Sequence, residues 1–151
     1  MFRKKIIYLL CIFLLYSCGY TAVYNDTTNK NFDIKITSLK GDDLINKLIK
    51  TNLKRHMSSN SEKKYSIKID TSYDMKDISK DVTGKISNYQ VNIISIVNIS
   101  SDIVNERIII KENFKINNTQ NSFEKKSYEN SIKKTYAQNT SDKIIMRLLK
   151  M

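Results

Sequence analysis

Apolar and polar residues alternate in four stretches of this chain, as they do in β-strands that bury one face. The first stretch is Phe32–Thr37, and the alternation returns three times further on, in Tyr65–Met75, Ile86–Ile99 and Val104–Ile116. Short polar segments that suit hairpins separate the last three stretches. We therefore expect one strand followed later by an antiparallel meander of three long strands.

The third stretch departs from simple alternation. Its apolar positions begin at Tyr89, Val91 and Ile93 and then shift phase at Ile94 and Ile96. A β-bulge would produce this shift, and so would burial of both faces of the strand. The sequence leaves both explanations open.

Two further stretches have the periodicity of amphipathic helices. From Asp42 to about Met57 the apolar residues fall on one helical face, namely Leu44, Ile45, Leu48, Ile49 and Leu53. From Asn121, which with Glu124 suits a capping box, a second helix is predicted to about Leu149. Its apolar stripe is Tyr128, Ile132, Thr135, Tyr136, Met146 and Leu149. Asp142 falls on this stripe, either as a locally paired acid or because the helix is broken around 139–141; of these interpretations we favour a partly solvated acid near a kink.

The order of these elements is β-α-β-β-β-α. Both helices can cover the same face of a sheet made from the four strands. The predicted fold class is therefore α+β, with a four-stranded mixed or antiparallel sheet and two helices packed on one face. The size of the chain suits one domain with one modest core, which we place at residues 32–151.

The first 17 residues have the order of a secretion signal. Three basic residues at positions 3–5 precede an uncharged apolar run at 6–16, about half the ~20 residues that a membrane-spanning helix needs. The run ends in Leu-Tyr-Ser-Cys, which resembles the lipobox of bacterial lipoproteins. This resemblance places cleavage after Ser17 and acyl chains such as palmitate on Cys18. Residues 18–31, rich in Asn and Thr, would then form a tether between the lipid and the domain.

Composition adds two constraints. Cys11 lies in the signal and Cys18 is used for lipidation, so no thiol remains for a disulfide or a metal. The formal charge of +11 falls to +8 when the signal with its three basic residues is removed. Such a surplus favours anionic partners, among which nucleic acid is the least accessible to an exported protein. A coding bias toward Lys, Ile and Asn, in a chain that has no Pro, would produce the same surplus, so we discount the charge as evidence of a partner.

The sequence offers little that would support catalysis. His56, the one histidine, is expected to be solvated or to cap the end of a helix. The spaced acids Asp70, Asp74, Asp77 and Asp81 are more consistent with a solvated surface than with a metal site. Because there is also no phosphate loop, nucleophile elbow or histidine pair at metal spacing, we expect no enzyme, no metal and no cofactor.

Four features together resemble the LptE family of outer-membrane lipopolysaccharide-assembly lipoproteins. They are a lipobox cysteine followed directly by Gly19-Tyr20, the element order, the segment DVTGKISNYQV at 81–91, and a last helix that holds SYEN at 127–130 and Tyr136-Ala137. The resemblance extends over nearly the whole mature chain. It implies a non-enzymatic α+β protein that plugs the outer-membrane β-barrel LptD and assists the insertion of lipopolysaccharide into the outer leaflet.

The resemblance also implies which residues contact lipopolysaccharide and at which membrane the protein lies. Basic residues in the loop before the third long stretch and near the start of the last helix are implicated in lipopolysaccharide binding in the family. The matching candidates here are Lys80, Lys85, Lys125 and Lys126. Gly19 stands where many lipoproteins of the inner membrane carry Asp, so we expect the periplasmic side of the outer membrane. A generic lipid-anchored periplasmic module without a barrel partner, and an exported enzyme using His56 or Asp74, are the alternatives.

Overall fold

The computed structural model describes residues 32–58, 61–118 and 121–151. These residues form four strands and two helices: β1 (Phe32–Gly41), α1 (Asp43–Lys54), β2 (Lys63–Lys80), β3 (Ile86–Ser100), β4 (Asn105–Asn117) and α2 (Ser122–Leu148). The predicted element order is therefore confirmed. The proposed signal at 1–17, the lipidation site Cys18 and the tether at 18–31 lie outside the described residues.

The strands form a mixed sheet in the order β1-β2-β3-β4. β1 is parallel to β2, because α1 carries the chain back between them, and β2, β3 and β4 are antiparallel neighbours. The fold class is thus α+β as the sequence predicted, with a parallel pair at one edge. β2 has 18 residues and spans roughly 55 Å at the usual rise per residue.

One face of the sheet and both helices enclose a single apolar core within the described residues. Odd-numbered side chains of β2 and β3 point into it, including Ile67, Ile69, Val91 and Ile93, each at most 1% exposed. From the helices, Ile45, Ile49 and Leu53 of α1 and Ile132, Tyr136, Ile144 and Leu148 of α2 pack on them. The opposite face of the sheet carries mostly polar side chains. Burial on one face is what the strand alternation predicted.

The junction between β1 and α1 depends on a glycine. Gly41 has φ +88°, and a Cβ atom there would lie 1.8 Å from the carbonyl oxygen of Thr71 in β2. The next amide, that of Asp42, donates to the same oxygen at 2.9 Å. The Asp42 side chain then accepts from the amide of Ile45 and caps α1. Close approach and a left-handed turn together require glycine at position 41.

The structure decides between the two explanations of the phase shift in β3, in favour of burial on both faces, and it corrects the expected kink in the second helix. The ladder of β3 is regular at Ile94 and Ile96, so there is no bulge; the two side chains lie on the open face of the sheet, each partly buried. The register shifts lie elsewhere, at 36–38 of β1 and 77–80 of β2. The second helix is continuous across 139–141, and Asp142 accepts hydrogen bonds from Gln138 one turn earlier instead of marking a break.

The predicted apolar stripe is largely right for α1 and largely wrong for α2. In α1, Leu44 is 40% exposed, while Asn46 is buried and donates to the carbonyl of Lys40 at 2.7 Å. In α2, the exposed members are Tyr128, Thr135, Met146 and Leu149. The buried face instead passes through the small residues Ala137, Thr140 and Ser141. Short side chains allow α2 to lie close to its neighbours, and this packing is not visible in hydrophobicity.

Candidate functional site

The hairpin between β2 and β3 is a structured turn with lysines on both sides. The carboxylate of Asp81 accepts hydrogen bonds from the hydroxyl and amide of Thr83 at 2.7 and 2.8 Å and from the amide of Lys85 at 3.0 Å. These bonds hold the pKa of Asp81 below its ordinary value, and the bond from the Thr83 hydroxyl has the largest effect. Gly84 takes the left-handed conformation that closes the turn. Lys80 and Lys85 are therefore exposed beside a defined loop.

The other two candidate lysines lie within the first five residues of α2. Asn121 caps this helix by accepting from the amides of Phe123 and Glu124. Lys125 is partly buried, and its ammonium lies over the ring of Tyr89 in β3, 3.6 Å from the centroid. Lys126 is exposed. A cation over an aromatic face is attracted by the ring, so Lys125 fastens the start of the helix to the sheet.

Several contacts bring the hairpin and the helix start to the same end of the domain. Tyr89 pairs with Asp77 near the end of β2 and with Ile116 near the end of β4. Asn118, just beyond β4, donates from its amide to the carbonyl of Ser87 and from its side chain to that of Ile86. We call this end of the domain, which carries Lys80, Lys85, Lys125 and Lys126, the lysine end. A shallow pocket of about 350 Å³ lies here, lined by Lys115, Ile116, Asn117, Glu124, Lys125 and Tyr128.

The described chain starts at the opposite end of the sheet. Phe32 pairs with Lys63, the first residue of β2, whereas Lys80 at the lysine end is the last. Ser58 after α1 donates to the carbonyl of Phe32, so the exposed His56 also lies at this opposite end. The point where the tether would join and the lysine end are thus separated by the length of β2, ~55 Å.

The acids considered for a metal site are dispersed on the surface. Asp70, Asp74 and Asp77 are exposed on β2, and Asp74 pairs with Lys76 at 3.2 Å. Asp81 is engaged within its own turn. Across residues 32–58, 61–118 and 121–151, no three His, Cys, Asp or Glu side chains come together in a way that could hold a metal ion.

A partly buried charge cluster joins the two helices, and its pair of charges from different helices had no signal in the sequence. The ammonium of Lys133 in α2 lies 2.7 Å from a carboxylate oxygen of Asp42 and 3.6 Å from one of Glu129. It also lies 4.2 Å from the centre of the Tyr73 ring. Only the Glu129–Lys133 spacing is local, since Asp42 is 91 residues away in the chain. The cluster holds α1 against α2.

The electrostatics of this cluster favour the charged pair. Burial by itself raises the pKa of Asp42, but the hydrogen bonds from Lys133 and from the amide of Ile45, with the Lys133 charge, outweigh it. The pKa therefore lies below its ordinary value of 3.8. Burial, followed by the nearby Glu129 carboxylate, raises the pKa of Tyr73. The phenol is thus neutral while the carboxylate of Asp42 is ionised at neutral pH.

Together these features define a class: an α+β domain whose lysine end lies far from Phe32, the first described residue. Neither helix in the described ranges has the length and hydropathy needed to cross a membrane. No protein-family model matches the chain, and no curated protein sequence matches it.

Solved structures do match. Rare lipoprotein B from Shewanella oneidensis superposes with a TM-score of 0.56 at 12% identity, over 77% of this chain and 95% of that one. A predicted lipoprotein from Caulobacter crescentus CB15 superposes with a TM-score of 0.53 at 7% identity, over 79% and 88% of the two chains. At these identities the similarity shows a shared fold, which is a fold found in bacterial lipoproteins.

Proposed function

We propose that this protein is an LptE-like lipoprotein of the outer membrane that plugs the barrel protein LptD and assists lipopolysaccharide insertion. The observation that carries the proposal is the shared fold. The Shewanella lipoprotein has this fold over 95% of its length, and the chain carries a lipobox-like sequence ending in Cys18. The proposed role is non-enzymatic and needs no cofactor.

The shape and surface of the domain support a role inside a barrel. The lumen of an outer-membrane barrel is polar, so a plug needs a polar exterior around its own core. Here the open face of the sheet and the outer sides of both helices are largely polar, with the apolar side chains gathered between them. A lipid tether joined before Phe32 would keep the domain at the membrane and raise its local concentration at the barrel.

The lysine end supports contact with an anionic lipid head group. Lys80, Lys85 and Lys126 are exposed, and none forms an ion pair within the described part of the chain. Lysine ammonium groups bind phosphate as point charges. Lys125 plays a different part in this proposal: because it lies over Tyr89, it positions the helix start beside the hairpin and offers only its outer N–H groups to a ligand.

Co-purification tests the barrel partner. The protein with a C-terminal tag is expressed in its native bacterium, extracted in mild detergent and purified, and its partners are identified by mass spectrometry. We expect a stoichiometric outer-membrane β-barrel protein of the LptD class. Recovery of the lipidated protein without any barrel protein would contradict the proposal and favour a generic lipid-anchored module.

Charge reversal tests the lipid contact. Lys80 and Lys85, and separately Lys125 and Lys126, are replaced by Glu, and binding of purified lipopolysaccharide is measured at several salt concentrations. Binding should weaken in both variants and lose part of its salt dependence, because exposed ionic contacts are screened by salt. Lys47→Glu and Lys50→Glu on the exposed side of α1 are the matched controls. Loss of binding in these controls, with none at the lysine end, would place the contact elsewhere.

A further inference from the structure

The charges of β4 are sorted by face. Its acids, Glu106 and Glu112, point to the side of the helices, where they pair with Arg147 and Lys143 of α2. Its bases are Arg107, Lys111 and Lys115, which point to the open face and are exposed. In the described ranges none of these three forms an ion pair. β4 therefore presents unpaired positive charge on one face only.

The register shows that the neighbouring strand does not neutralise these bases. Arg107, Lys111 and Lys115 lie opposite Asn98, Ile94 and Gln90 of β3, respectively. They follow one another at four-residue intervals, which is about 13 Å along an extended strand. Ile109, 51% exposed, lies between the first two. The row is thus a regular cationic array with one apolar side chain between its first two bases.

β4 is also an edge strand. It is last in the sheet order, and among the described residues no strand pairs with its outer side. An edge strand presents unpaired N–H and C=O groups that can accept another strand. A strand added there would lie about 4.8 Å from β4, with its side chains level with those of the cationic row.

We propose that the outer edge of β4 binds an extended acidic segment of another polypeptide as a fifth strand. Backbone hydrogen bonds would hold the segment, and carboxylates on one of its faces would pair with Arg107, Lys111 and Lys115. This inference is independent of the proposed function, since it rests on charge complementarity and strand order in this chain.

Charge excludes two other occupants. A second copy of this chain carries the same row on the same edge, so pairing of two β4 strands would bring bases against bases, which is destabilising. The tether segment 19–31 has one acid, Asp26, and one base, Lys30, so it offers no negative surplus. The other sheet edge differs, because β1 alternates signs at Asp33 and Lys35. The acidic strand is therefore assigned to β4.

The test measures binding of a synthetic peptide to the full lipidated chain in nonionic detergent. The probe is a fluorescent, acetylated peptide of alternating glutamate and valine, about ten residues or ~33 Å long when extended. We expect binding that weakens with salt and hydrogen-exchange protection of β4 amides but not of β1 amides. The triple variant Arg107→Glu, Lys111→Glu, Lys115→Glu should bind about tenfold more weakly or worse, since each exposed ion pair contributes only a few-fold.

A matched triple variant controls for net charge. Three exposed lysines on the open face of β1 and β2 are reversed together, namely Lys35→Glu, Lys64→Glu and Lys68→Glu. This variant should lose much less affinity for the peptide than the β4 variant does. Its β4 amides should still be protected from hydrogen exchange when the peptide binds. Equal loss of binding in the two triple variants would overturn the proposal, because net charge and not the β4 row would then govern affinity.

Two further probes separate strand addition from simple charge attraction. A peptide of the same charge with proline at its centre cannot complete the backbone ladder, so it should bind more weakly. Equal binding of both peptides, or absence of β4 protection, would overturn strand addition. Vesicles of phosphatidylcholine with phosphatidylglycerol test a lipid surface as the occupant. If the wild-type protein binds these vesicles, the β4 triple variant binds them less, and the peptide does not bind at all, the proposal is overturned in favour of a lipid surface.

Discussion

The ion pair between Asp42 and Lys133 should contribute measurably to the stability of the domain. Asp42→Asn removes its charge and keeps a side-chain oxygen that can cap α1, since Asn is as good an N-cap as Asp. Lys133→Met removes the ammonium and keeps an unbranched apolar chain beside Tyr73. The two single variants and the double variant form a cycle that isolates the interaction between these residues.

The magnitude follows from geometry and exposure. The two groups are 2.7 Å apart, with side chains only 13% and 15% exposed, so the bond is charge-assisted and poorly screened by solvent. Such bonds contribute about 1.5–3 kcal/mol, and the desolvation of both ions lowers the net value, so we expect a coupling of about 2 kcal/mol. The chain supplies an internal control: Lys76 and Asp74 are 3.2 Å apart but 69% and 52% exposed. Their coupling should stay below about 0.5 kcal/mol.

The assay is urea denaturation of the protein truncated to begin at Phe32. Unfolding is monitored by circular dichroism and is measured at several pH values. Because the pKa of Asp42 is lowered in the folded state, its contribution is fully present above the unfolded value of 3.8 and is lost as the pH falls through the folded value. The coupling should therefore be constant at neutral pH and decline below pH 3.8. Equal coupling energies for the buried and exposed pairs, or a coupling that persists in strong acid, would refute this reasoning.

Four other predictions concern the fold and the lipid anchor. Gly41→Ala should lower the free energy of unfolding by more than about 2 kcal/mol, because it adds a backbone clash to left-handed strain. Gly84→Ala, which has open space around it, should lower this free energy by about 1 kcal/mol. Equal midpoints of urea denaturation for the two variants would contradict this. Thr140→Val should raise the free energy of unfolding by about 1 kcal/mol, since its buried hydroxyl makes no hydrogen bond of good geometry in the described part of the chain, although it lies near the Tyr136 hydroxyl; a lower melting temperature would show that the two hydroxyls are bonded. Ile110→Asp, in a core site 4% exposed, should cost several kcal/mol of the ~5–15 typical of a domain, as measured by denaturation. Cys18→Ala should abolish incorporation of labelled fatty acid and stable membrane retention, and label on this variant would disprove lipidation at Cys18.

Local pattern was sufficient for the elements and for much of the core. Alternation in 65–75 identified the buried side of β2, and the spacing of Ile45, Ile49 and Leu53 identified the buried side of α1. The cap at Asn121 was also readable, because side-chain capping acts within three residues. The continuity of α2 could not be predicted from the sequence, since Thr140 and Ser141 are weak helix formers. They become buried only through close packing on neighbouring elements.

The candidate site shows the same division. The sequence by itself named Lys80, Lys85, Lys125 and Lys126 through a family resemblance, and their role in binding stays a prediction. Only the tertiary structure showed that the hairpin and the helix start share one end of the domain, and that Lys125 is engaged with Tyr89.

Sequence determined what depends on neighbours a few residues apart: strand faces, helix caps, the turn at Asp81 and the charge of each segment. The tertiary structure decided what depends on contacts between distant residues. It paired Lys133 with an acid 91 positions away, required glycine at position 41 against a strand carbonyl, and sorted the charges of β4 between a helix-covered face and an open one. The physical reason is that burial and pairing are properties of the assembled surfaces, which no local spacing specifies.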